Sequence, residues 1–198
     1  MSIKNFLLAS TLVISLTACS GSSSDSATNQ STSPQPSASA PFDKAAINLD
    51  DATWLAMMLA HHQQAVDLSD LPLEQTDNQE IKDLATQIRG AQYPEMEYMN
   101  GLLYEAGYRE PIDVQDHLTH MQGMLSSSEF DELTKLRGAE FDKAFLTAMI
   151  SHHEGAIDMC TTMLATGTSM TVKELAQKII DAQTIEISQM KVMLADLN

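Results

Sequence analysis

Apolar residues recur at steps of three and four along four long stretches of this chain. That spacing places them on one face of an α-helix. The first stretch starts at a cap, Asp50 or Asp51, and runs to about residue 69, where Leu71-Pro72 ends it. The second covers about residues 79–106, with the stripe Ile81, Leu84, Ile88, Ala91, Glu95, Met99 and Leu102. Pro94 lies inside it and predicts a kink, because proline removes a backbone donor and crowds the preceding turn. The third covers about 139–165, with Leu146, Met149, Ile150, His153, Ala156, Ile157 and Cys160 in line; His152 falls on the flank. Ser169 or Thr171 caps the last, which runs to residue 197. A polar connection over 112–127 carries His117, His120, Met121 and Met124. These share one face if the segment is helical, and separate if Met121-Gln122-Gly123-Met124 is a Gly-centred turn. Ser128 is placed to cap a short helix over 129–137, which Gly138 interrupts.

The second half of the pattern repeats the first at an offset of 91 residues. Met58 pairs with Met149, His61 with His152, His62 with His153, Ala65 with Ala156 and Asp67 with Asp158. In the following helix, Ala91-Gln92 pairs with Ala182-Gln183, Glu95 with Glu186 and Met99 with Met190. Two helical hairpins, about 50–106 and 139–198, joined by a long crossover connection, predict an all-α four-helix bundle over 46–198. Pseudo-twofold symmetry would bring the two His-His pairs together across it, with Trp54 and Phe145 in equivalent places.

Residues 1–45 have a different character. Phe6 to Leu16 is a mostly apolar run with Lys4 before it, long enough for a signal-peptide core and too short to span a membrane. It ends in Leu16-Thr17-Ala18-Cys19, which resembles a bacterial lipobox with Cys19 as the lipidated residue. The Ser/Pro-rich residues 20–45 then read as a disordered tether. The expectation is an exported lipoprotein on the periplasmic side. Ser20 is compatible with an outer-membrane anchor.

Composition adds chemistry to this frame. The formal net charge of −16 excludes a phosphate-binding basic surface, so nucleic acid is not an expected partner. Methionine is abundant, at 13 residues, and all six histidines fall in three close pairs: His61/His62, His117/His120 and His152/His153. Thioether and imidazole donors together suit Cu(I), and by the same argument Ag(I). The candidate ligands are those six histidines with Met58, Met121, Met124, Met149, Met159 and Met163. Met57, Met170 and Met193 are expected to fill the core. His117, His120, Met121 and Met124 lie outside the repeats and would form a separate, more accessible site. Glu95 and Glu186 lie on apolar stripes, where an unpaired carboxylate is costly. Either they ligate or orient the imidazoles, or they join a His/Glu network that fixes helix register. Cys160, also on an inward stripe, reads as a small buried residue.

A di-iron or di-manganese enzyme is the rival class. Such a site takes a Glu from each of two helices and Glu-x-x-His from the other two. Here Glu95 and Glu186 are present and Glu-x-x-His is not. Nor is there a nucleophile–base pair, a phosphate-binding Gly loop or a zinc-type cysteine cluster, so no enzymatic activity is expected. A pH-responsive interaction protein is a further alternative, since histidine titrates near neutrality.

The run Met149-Ile150-Ser151-His152-His153-Glu154-Gly155-Ala156-Ile157-Asp158-Met159 resembles the signature of the domain-of-unknown-function 305 family. Gly123-Met124-Leu125-Ser126, with Leu133, Leu136 and Phe141-Asp142, is similar to that family's approach to the motif. Residues 182–190 resemble its second helix. The first-half copy departs from the motif, with Leu68 where the second half has Met159. The resemblance implies a ferritin-like four-helix bundle, secreted or periplasmic, with copper or silver bound through Met and His. Storage, chaperoning or resistance would follow, with copper-handling proteins as partners.

Overall fold

A computed structural model describes residues 47–118 and 120–197. The signal segment, Cys19 and the Ser/Pro-rich tether lie outside the described residues. Within them the chain is all-helical: α1 (Leu49–Asp70), α2 (Pro72–Gln75), α3 (Gln79–Ala106), α4 (Gln115–Leu118), α5 (Ser127–Lys135), α6 (Gly138–Thr166) and α7 (Met170–Asp196). The four long helices pair as α1 with α3 and α6 with α7, and α1 meets α6 between the hairpins. None of the described helices is long and apolar enough to cross a membrane. α3 runs unbroken through Pro94.

Two helix starts differ from the expected caps. Asn48, not Asp50 or Asp51, caps α1, its side chain accepting from Asp51 N at 2.8 Å. Ser126, not Ser128, starts α5, because Glu129 at the third helical position returns a bond to the Ser126 backbone and completes a capping box.

Asp51 is thereby available for another task. Fully buried, it accepts from Thr168 N at 3.0 Å, Thr168 Oγ1 at 2.6 Å and Ser169 N at 2.9 Å, in the turn between α6 and α7. Its repeat partner Asp142, on α6, accepts from Asn78 Nδ2 at 3.0 Å, in the turn before α3. Asn78 and Ser169 cap α3 and α7 and are themselves repeat equivalents. The first helix of each hairpin thus clasps the turn of the other. Hydrogen bonds to a carboxylate contribute about 1.5–3 kcal/mol each, and stranding their donors adds a desolvation cost. Asp51→Ala should therefore cost about 3 kcal/mol in urea denaturation, and Asp142→Ala, with one donor instead of three, about half as much. Equal losses would mean that the clasp is not what makes Asp51 matter.

The core has two apolar parts. One gathers Trp54, Leu55 and Met58 from α1 with Met99 and Leu102 from α3, Ala156, Cys160 and Met163 from α6, and Val172, Leu175 and Ile179 from α7. The other gathers Leu68, Ile81, Leu84, Ile88, Phe141, Phe145, Met149, Ile187 and Met190. Trp54 and Phe145 hold matching places, one in each part. Trp54 also donates its indole N–H to the Met159 carbonyl at 3.1 Å. In each long helix a short polar stretch separates the residues of one part from those of the other. These stretches form a buried polar belt across the middle of the domain.

Candidate metal centre

The belt is built from the histidine pairs of α1 and α6 and from a Gln and a Glu on each of α3 and α7. His61, His62, His152 and His153 are all buried, as are Gln92, Gln183 and Glu186. His62 Nε2 lies 2.9 Å from Glu95 Oε2, and His153 Nε2 lies 2.9 Å from Glu186 Oε2. The repeat symmetry is therefore obeyed at the level of single atoms. The environments differ: the Glu95 side chain is 23% exposed and that of Glu186 only 7%. His61 and His152 face each other, their ring centroids 3.9 Å apart and the rings tilted by 43°.

The facing pair is poor in partners. His61 Nε2 lies 3.3 Å from the Gln122 carbonyl. His61 Nδ1 and both ring nitrogens of His152 have no hydrogen-bond partner in the protein, and neither do Nδ1 of His62 and His153 or the Gln92 amide. Burial pushes the His61 pKa down to about 3; the Gln122 carbonyl opposes this, and His62 and His153 add to it. Burial also pushes His152 well below the ordinary value, helped by His61, His153 and His62 and weakly opposed by the His61 backbone. Both imidazoles are therefore neutral at pH 7, which is the ligating form. The same desolvation, with Glu95 nearby, pushes the Cys160 thiol up to about 12, so it stays protonated and packs as a small apolar group.

The methionines divide by location. Met58 sits in one apolar part and Met149 in the other. Met163 is buried, and a side chain at Gly167 would collide with its Sδ. Met121 and Met159 line a surface cleft of about 250 Å³ with Met57, His117, His120 and Asp158. His117 and His120 are exposed, Met57 and Met159 half-buried and Met121 buried. Met57, expected as a core filler, thus faces the cleft. Met124 does not: it lines a groove with Leu125, Leu133 and Leu136 on the other side of the connection. The cause is the turn alternative, realised here. Gly123 adopts φ +81° and reverses the chain after Met121.

Residues 121–125 run as a strap over the facing histidines. Gly123 and Gly155 let backbone meet backbone there. A Cβ on Gly155 would overlap the Gln122 carbonyl, and one on Gly123 would overlap the Ser151 carbonyl. From α1, Gln64 grips the strap in both directions, donating to Leu125 O at 2.8 Å and accepting from Leu125 N at 2.7 Å. Gln64 and Gly155 are repeat equivalents, so the same position grips the strap in one hairpin and makes room for it in the other. The sequence assigns Gln64, Gln122 and Gly155 no role at the site, although Gln122 stands in the expected turn and Gly155 in the signature run, because their work depends on where the strap lands. Gln92 and Gln183 did leave a signal, an amide matched at the same place in both halves.

Among the described residues, no three His, Cys, Asp or Glu side chains are grouped so that they could hold a metal ion. A metal held by several protein ligands would therefore draw on methionine sulfur or on backbone carbonyls.

Paired helical hairpins, a His-His motif in each and a crossover strap between them define one class of protein. The chain belongs to the DUF305 family, a domain of unknown function, whose profile matches residues 51–194. Among solved structures, a DUF305 fragment from Deinococcus radiodurans is 31% identical, with 76% of this chain and 98% of that one covered and a TM-score of 0.69. A candidate secreted DUF305 protein from Streptomyces coelicolor is 29% identical, with 74% and 93% covered and a TM-score of 0.68. CopM in its Cu(I)-bound form is 27% identical, with 74% and 96% covered and a TM-score of 0.61. CopM structures in Cu(II)-bound and Ag-bound forms also match. No curated protein matches the chain.

Proposed function

We propose that this protein binds Cu(I), and Ag(I) by the same chemistry, at the cleft formed by Met57, His117, His120, Met121 and Met159. The observation that carries this reading is the donor set. Three thioethers and two exposed imidazoles line one small cleft, and such soft, neutral donors favour a soft monovalent cation over Zn(II) or Mg(II). Asp158 at the rim and the net charge of −16 draw cations towards the surface. CopM, seen with Cu(I), Cu(II) and Ag, is a relative at 26–27% identity. The four long helices are read as a ferritin-like bundle. The protein is exported and held to a membrane through lipidated Cys19, with the Ser/Pro-rich segment as tether. In that setting it stores, buffers or hands on copper.

Met121→Leu with Met159→Leu tests the cleft, because both changes nearly conserve volume and leave the fold intact. Competition against a chromophoric Cu(I) chelator at pH 7 should show at least a hundredfold loss of affinity in the double variant. Thioethers do not titrate, so the parent should keep weakened binding at pH 5. Zn(II) should compete poorly. A double variant that binds Cu(I) as tightly as the parent would remove the cleft from the function.

A second reading applies to two of the histidines. His62 and His153 each have Nε2 engaged by a carboxylate, which favours a polar network that fixes helix register over direct metal ligation by those atoms.

A further inference from the structure

We infer that the 121–125 strap is a door between two stations for one soft cation, the Met/His cleft outside and the facing His61–His152 pair inside. The inference rests on the soft-metal reading of the cleft and extends it to the buried pair.

Three observations carry it. The first is that one residue belongs to both stations. Gln122 lines the cleft, and its carbonyl lies 3.3 Å from His61 Nε2. His120 and Met121, two of the cleft's donors, stand immediately before it in the chain. A cation drawn between them and the methionines of α1 and α6 is therefore connected, through one peptide unit, to the contact that covers His61.

The second is the unmet chemistry beneath the strap. His152 is 1% exposed and neither of its ring nitrogens has a hydrogen-bond partner in the protein. Buried polar atoms without partners are uncommon, and each costs about 1–3 kcal/mol. His61 Nδ1 is likewise without a partner, so each neutral imidazole keeps a lone pair that a soft monovalent cation would take up once the rings turn out of their 3.9 Å contact.

The third is how the strap is held. Gln64 grips Leu125 with two hydrogen bonds, and Gly155 supplies the space in which Gln122 lies. These contacts join the strap to α1 and α6, and the only apolar part its Leu125 touches is the edge of the second one, where Leu125 is half-buried. They can be released while the long helices stay packed. Opening at Gly123 would uncover the His pair from the cleft side.

The test loosens the strap from its two sides in the full chain. Gln64→Leu removes both bonds to Leu125 at similar volume. Gly155→Ala pushes Gln122 outward while favouring the helix itself. Asp142→Ala is the control, since it removes the bond from Asn78 and leaves Gln64 and Gly155, which hold the strap, unchanged. Residue-resolved labelling of the metal-free chain with diethyl pyrocarbonate should leave His61 and His152 protected in the parent and in Asp142→Ala. Both should become reactive in the two strap variants, with amide exchange at Leu125 at least tenfold faster. Cu(I) loaded to saturation and then challenged with bathocuproine disulfonate should leave the parent in a fast and a slow phase. The slow phase should accelerate at least tenfold in both strap variants, with the Cu(I) capacity unchanged. If exchange at Leu125 rises while labelling and the slow phase do not change, the strap is not a door, although the cleft reading stands. If the parent binds no Cu(I), the cleft reading falls, and the door with it.

Discussion

Acidification from pH 7 to 4 is expected to destabilise the helical domain, with most of the loss between pH 6 and pH 4. The folded chain holds His61 at about 3, against an ordinary value of 6.5. His152 is displaced in the same direction. Between those values the unfolded chain binds protons that the folded chain refuses. The stability linked to these groups is thus fully present above about pH 6.5 and is lost progressively as the pH falls towards 3. For His61 alone the full window corresponds to about 4–5 kcal/mol at 1.36 kcal/mol per pH unit. A domain of this kind has roughly 5–15 kcal/mol in total. The groups around the pair do little to accommodate a proton, since His62 and His153 are tied to Glu95 and Glu186, and the Gln122 carbonyl contacts His61 alone. Helical circular dichroism and urea midpoints across pH 7 to 3.5 would follow the loss. Replacing both His61 and His152 by leucine should flatten the profile. A parent whose urea midpoint is the same at pH 4 as at pH 7 would show that the facing pair is hydrated and freely protonated.

Removing the carboxylate of one His–Glu pair should cost more than removing the other. Glu186→Ala leaves His153 Nε2 buried with its hydrogen-bond partner gone, and stranding a buried polar group in this way costs about 2–3 kcal/mol. Glu95→Ala leaves His62 beside a site that is 23% exposed on the carboxylate side, against 7% for Glu186. Water can replace part of the lost bond there, so the cost should fall to about 1–2 kcal/mol. Glu186→Gln keeps an acceptor within reach and should lie between Glu186→Ala and the parent. Urea denaturation at pH 7 measures all three. Equal losses at the two positions, or the reverse order, would mean that the pairs are set by something other than burial.

Much of this was legible in the sequence, for a physical reason. Long helices with a single inward face leave a strong 3.6-residue period, and a repeat at a fixed offset shows which positions share an environment. His153 and its repeat equivalent His62, with Glu95 and Glu186, could therefore be placed on the inward face before any coordinates, whereas His152, read as lying on the flank of that face, is buried as well. What the period cannot carry is partner choice. That His62 and His153 take the carboxylates while His61 and His152 face each other depends on how the hairpins dock. The reciprocal clasp escaped because Asp51 stands beside a helix start and imitates a cap, whereas its partners, Thr168 and Ser169, are more than a hundred residues away. Met57 was assigned to the core by composition and Met124 to the cleft by spacing. One turn at Gly123 decides the placement of Met124, and the crossover connection, which has no period of its own, decides that of Met57.

The most direct measurement is copper K-edge X-ray absorption on the full chain loaded with one equivalent of Cu(I) at pH 7. Binding at the cleft predicts a mixed shell of sulfur and imidazole nitrogen, with the sulfur scattering greatly reduced in Met121→Leu/Met159→Leu. A shell of nitrogen and oxygen alone, or sulfur scattering that survives the double substitution unchanged, would contradict it.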